Sequence, residues 1–94
     1  MTKPTFSTLI QSAESARSRS QFKAARDRFK TAVALAATPA EKAQAWQGMA
    51  DCGRLLGDLK QSHGAYAQAL RWVPASDRAW QADLLSGQAL AWRA

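Results

Sequence analysis

Apolar positions recur along this chain every three to four residues, and no stretch alternates strictly, so the pattern predicts helices throughout and no strand. Phe6, Leu9, Ala13 and Ala16 form a first stripe, with Thr5 or Ser7 placed to cap it and the polar turn Ser18-Arg19-Ser20 closing it near Arg17. Phe22, Ala25, Phe29, Ala32 and Val33 form a second, from an expected cap at Ser20 to about Ala36. Thr38-Pro39-Ala40-Glu41 then supplies a cap, a proline for the first helical position and the acid of a capping box. The third helix runs through Trp46, Met49, Ala50, Gly53 and Leu56 to Gly57, a residue suited to the left-handed closing conformation. Asp58, with Gln61 three residues on, opens a fourth helix carrying Leu59, Ser62, Tyr66, Ala69, Leu70 and Val73 until Pro74 ends it. Ser76 is expected to cap a fifth, from Asp77 to about Arg93, with Trp80, Leu84, Gly87 and Ala91 on one face.

Within this succession the segment 43–76 has a register of its own. Trp46, Met49, Ala50, Gly57, Asp58, Leu59, Ser62, Tyr66, Ala69, Leu70 and Pro74 stand where a helix–turn–helix repeat needs large, small and turn residues. It resembles a tetratricopeptide repeat. Segment 6–39 is similar to a degenerate copy, with Leu9, Ala13, Phe22, Ala25, Phe29 and Ala32 at corresponding places but Ser20 instead of a turn glycine. Three further residues, Ala40 to Lys42, separate the copies, and residues 77–93 resemble the opening helix of a third, which caps such a stack. The resemblance implies one all-α domain over residues 1–94, a short right-handed superhelical solenoid of antiparallel helix pairs with about five helices. Gly53 stands where the family has an aromatic residue, which suggests a locally thin core.

The resemblance also implies a function: holding a protein or peptide partner in a concave groove lined by the first helix of each repeat. Its positions fall on Ile10, Glu14 and Arg17, on Gln47, Asp51 and Arg54, and on Arg78, Gln81 and Leu85. Family members that clamp a chaperone's terminal carboxylate use Lys, Asn and Arg in the groove. Here Arg78 alone matches, with Ile10, Glu14, Gly48 and Ala82 at the other places, which excludes that clamp. The role implied is that of an adaptor, an assembly factor or a small secretion-type chaperone.

On the last helix, Leu85, Gln88 and Trp92 lie away from the inward stripe, an apolar surface suited to a homodimer or to docking another helix. The alternative is that Trp92 folds back onto the fourth helix.

Charge adds a second surface. The net charge is +6, and residues 1–30 hold seven of the thirteen Lys and Arg against Glu14 and Asp27. Arg19, Lys23, Arg26 and Lys30 form one stripe on the second helix, flanked by Arg28. It suits a basic, nucleic-acid-associated or regulatory role, the alternative function, although no aromatic residue interleaves it for base stacking, which disfavours nucleic acid. The 94 residues are enough for a small, economical core. No stretch reaches the length of a membrane span, and Met1-Thr2-Lys3-Pro4 does not open a signal-peptide core, so a cytoplasmic protein is expected. Abundant Ala and a preference for Arg over Lys point to a bacterial, GC-rich genome. Cys52 is the one cysteine and His63 the one histidine, read as a core residue and a solvated or capping one. No metal set, cofactor loop or catalytic triad is visible, so neither catalysis nor a cofactor is expected.

Overall fold

Two reversals of the same construction, at Ser20 and Gly57, set the architecture. The computed structural model describes residues 3–93; Met1 and Thr2, which open the N-terminal segment, lie outside them. The helices are α1 (Phe6–Ser18), α2 (Phe22–Leu35), α3 (Pro39–Leu55), α4 (Leu59–Trp72) and α5 (Arg78–Arg93), and there is no strand among the described residues. After α1, the Ser20 amide donates to the Arg17 carbonyl at 2.9 Å and the Gln21 amide to Ala16 at 2.9 Å. After α3, the Gly57 amide donates to Arg54 at 3.1 Å and the Asp58 amide to Gly53 at 2.8 Å. These crossed bonds satisfy the last carbonyls of each helix and fold the next helix back antiparallel.

Ser20 and Gly57 both have positive φ, 61° and 80°. Ser20 is therefore not the cap expected for α2. It performs the turn glycine's task, at a cost of about 1–2 kcal/mol for an L-residue, and Gln21 precedes α2 without a side-chain capping bond. Counting 37 residues forward carries each position of the first hairpin onto the second: Arg17 onto Arg54, Ser20 onto Gly57, Ala25 onto Ser62, Phe29 onto Tyr66, Ala32 onto Ala69.

The other helix starts follow local chemistry. Thr5 and Thr8 cap α1 reciprocally. Thr38 accepts from the Glu41 amide at 3.1 Å, while the Glu41 carboxylate reaches one residue further upstream than a standard capping box, to the Ala37 amide at 2.8 Å. Asp58 Oδ1 accepts from the Gln61 amide at 3.4 Å. At α5 the capping side chain is Asp77 rather than the expected Ser76, because its carboxylate lies three residues before the Trp80 amide and accepts from it at 3.1 Å.

Small residues let the helices approach closely. Ala13, Ala25, Ala32, Ala50, Ser62 and Ala69 are fully buried, with Phe29, Tyr66 and Leu84 as the large side chains among them. Two glycines receive aromatic rings from the preceding helix: Gly48 lies under Phe29, and Gly87 under Tyr66, where an added Cβ would meet ring carbons at 2.6 Å. The expected thinning at Gly53 is filled by the Gln61 carboxamide and by Ser62, whose hydroxyl donates to the Ala50 carbonyl at 2.7 Å. Leu56, expected on the inward stripe of α3, instead sits exposed at its C-cap, because the chain is already turning there.

Candidate functional site

Four charges of alternating sign run from α1 across to α3: Glu14, Arg17, Asp51 and Arg54. A spacing of three residues puts each acid and its following arginine on one helix face. Arg17 Nη2 lies 2.5 Å from Glu14 Oε2, and its Nη1 lies 3.3 Å from Asp51 Oδ2, bridging the two helices. Arg54 Nη2 is 3.9 Å from Asp51 Oδ1. From α4, the Tyr66 hydroxyl donates to the same carboxylate and accepts from Arg54 Nε at 3.2 Å.

Tyr66 is 1% exposed. Burial, reinforced by its bond to Asp51, pushes its phenol up to about 12, so it remains a proton donor near neutral pH. The hydrogen bond from Arg54 to Tyr66 in turn raises the Arg54 pKa. These contacts leave the four side chains with no net charge and hold both arginines in fixed positions.

Beside this ladder lies a cleft of about 220 Å³, lined by Glu14, Arg17, Gln44, Gln47, Gly48 and Asp51. Gln47 is fixed by the Trp80 indole of α5, which donates to its Oε1 at 2.7 Å. Gln44 is exposed at the cleft. Among the residues assigned to a groove from the sequence, Glu14, Arg17, Gln47, Asp51 and Arg54 thus meet in one network or cleft. Ile10 does not: it is buried, because its place on α1 turns toward the core. Arg78 and Leu85 are exposed on α5, and the Gln81 amide turns to the Ala75 carbonyl at 3.5 Å; none of the three lines the cleft. Gln44, Tyr66 and Trp80 are additions. The repeated acid–three–arginine spacing, Glu14/Arg17 and Asp51/Arg54, was the available signal for the ladder.

The basic stripe is divided by its partners. Arg19, Lys23 and Lys30 are exposed, but Arg26 Nη1 lies 3.1 Å from Asp58 Oδ2 and 3.5 Å from Gln61 Oε1, and Arg28 donates to the Ser12 carbonyl at 3.2 Å. On α5, Leu85 is 54% and Trp92 72% exposed, with Gln88 half-buried beside them. Trp92 touches α4 without being covered by it: its ring centroid lies 4.4 Å from that of His63. His63 is half-buried, with Nδ1 enclosed and unpartnered, unlike the solvated or capping residue expected. Cys52 is fully buried, and burial pushes its thiol up to about 11, which keeps it protonated and unreactive near neutral pH.

Among the described residues no group of three His, Cys, Asp or Glu is placed to hold a metal ion, and no helix is long and apolar enough to cross a membrane. Comparison with protein-family models, curated proteins and solved structures returns no match.

Proposed function

We propose that the chain is a tetratricopeptide-like interaction module, a cytoplasmic adaptor or assembly factor that holds an extended protein segment or a single helix against α1 and α3. The observation that carries this reading is the cleft of Glu14, Arg17, Gln44, Gln47, Gly48 and Asp51, in which every charge already has a partner. Pre-paired charges cost a ligand little ordering entropy, and the amide groups of Gln44 and Gln47 offer both donors and acceptors to a peptide backbone. The 37-residue correspondence between the two hairpins and the turn construction they share support the repeat reading.

Neutral chemistry in the cleft makes a prediction that separates this surface from the α2 cations. Peptides selected by display on the intact chain are expected to bind with an affinity that changes less than about threefold between low and physiological salt, whereas phosphate binding falls steeply. Gln44→Arg should abolish binding, while Lys23→Glu should leave it unchanged. Peptides that ignore Gln44→Arg, or that are lost with Lys23→Glu, would move the function to the α2 cations.

A further inference from the structure

Helix α5 carries two apolar stripes. One, Trp80, Leu84, Gly87 and Ala91, faces the fold: Leu84 and Ala91 are in the core and Gly87 receives the Tyr66 ring. The other is Ala82, Leu85, Ala89 and Trp92, all four exposed, at spacings of three, four and three. Such spacing is the seam of a two-helix coiled coil, and a helix apolar on opposite sides has the composition of an interior helix.

We infer that this second stripe pairs with the same stripe of a second copy of the chain, the two α5 helices lying antiparallel about a two-fold axis near residue 87. The order of residue sizes fixes the direction. In an antiparallel pair, Ala82 faces Trp92 of the other copy and Leu85 faces its Ala89, so every layer sets one large side chain against one small one. A parallel pair would put Trp92 on Trp92 and Ala82 on Ala82, crowding one layer and leaving a void in the other. The antiparallel surface is self-complementary, as a two-fold contact requires.

Charge favours this end of the molecule over any other. Residues 1–30 carry +5 of the net +6, and the described part of that segment, from residue 3 on, forms the opposite end of a stack whose longest dimension is 43 Å. Contact through α5 keeps the two basic ends several times the ~8 Å screening length apart. Of the four positions flanking the seam, Gln81, Ser86 and Gln88 are uncharged, and Arg93 stands in register with Gln81 of the other copy, so no like charges are set against each other.

The size of the contact sets its strength. Leu85 and Trp92 at 54% and 72% exposure present on the order of 300 Å² of apolar side chain per copy, below the ~800 Å² of a standard interface, so the pair is a weak and reversible one. Sedimentation velocity on the intact chain from about 1 μM to about 1 mM spans that regime. The mass should rise from the 10.2 kDa monomer toward twice that value. Leu85→Glu and Trp92→Ala, both at exposed positions, should keep the helical circular dichroism of the wild type and each weaken association by about tenfold or more. Direction is read separately in a Cys52→Ser background: mixing Leu85→Cys with Ala89→Cys chains should give the mixed disulfide in preference to either homodisulfide. A 10.2 kDa mass at every concentration, association unaffected by both variants, assemblies larger than two copies, or a preference for homodisulfides each overturns the antiparallel pair.

Discussion

Replacing Tyr66 by Phe removes one oxygen from the centre of the Glu14–Arg17–Asp51–Arg54 ladder and nothing else. The ring keeps its place over Gly87, so burial and packing are unchanged. What disappears is the hydrogen bond to Asp51 and the one accepted from Arg54. Bonds of this kind to charged groups are worth about 1.5–3 kcal/mol each. Asp51 and Arg54 side chains are 20% and 27% exposed, so water recovers part of both losses. A net destabilisation of about 2 kcal/mol follows, equivalent to a fall in Tm of about 8 °C or more for a domain of this size. Urea titration and thermal melts of Tyr66→Phe against wild type measure it directly. The pH dependence provides a second reading. The folded phenol titrates at about 12 against an ordinary 10.0, so the folded chain retains a proton that the unfolded chain releases. Its contribution is therefore intact below pH 10 and lost as pH rises through 12. The stability gap between wild type and variant should narrow over that interval. Cys52, raised from 9.0 to about 11, adds an alkaline loss in the same direction to both proteins and cancels in the difference. A variant within about 0.5 kcal/mol of wild type, or a gap that stays constant through alkaline pH, would refute the assigned role of the hydroxyl.

Two further substitutions test the framework. Ser20→Gly should stabilise the chain by about 1 kcal/mol in urea titration, because glycine adopts φ of 61° without the steric cost that serine bears. Gly48→Ala should destabilise it by about 1–3 kcal/mol, since the new Cβ would collide with the Phe29 ring and force α2 and α3 apart.

Helix existence was legible wherever a local device announced it. Thr38-Pro39, Gly57-Asp58 and Pro74 act within a few residues of themselves, and all three lie at helix boundaries in the structure. Ser20 is ambiguous in the sequence because serine suits both a cap and a tight turn, and only the crossed bonds to Arg17 and Ala16 distinguish them. The groove positions on α1 and α3 were legible as a face but not as a network. Arg17 with Asp51, and Arg26 with Asp58, are joined across more than thirty residues, a distance over which periodicity carries no information. Tyr66 shows the same limit at the scale of one side chain: its spacing placed the ring in the core, while the destination of its hydroxyl depended on where α3 lay.

Asp58 has a consequence for how the chain folds. One of its oxygens closes the first turn of α4, and the other holds Arg26 of α2. The start of the second hairpin is therefore completed by a residue of the first. In an array of stacked units, cooperativity depends on coupling between neighbours relative to the stability of each unit alone. With two hairpins and one further helix, this shared carboxylate, together with Phe29 seated on Gly48, is expected to make the first four helices open as a single unit in a hydrogen-exchange measurement. Helix α5, joined through Tyr66, Trp80 and Leu84, is the element free to fray independently.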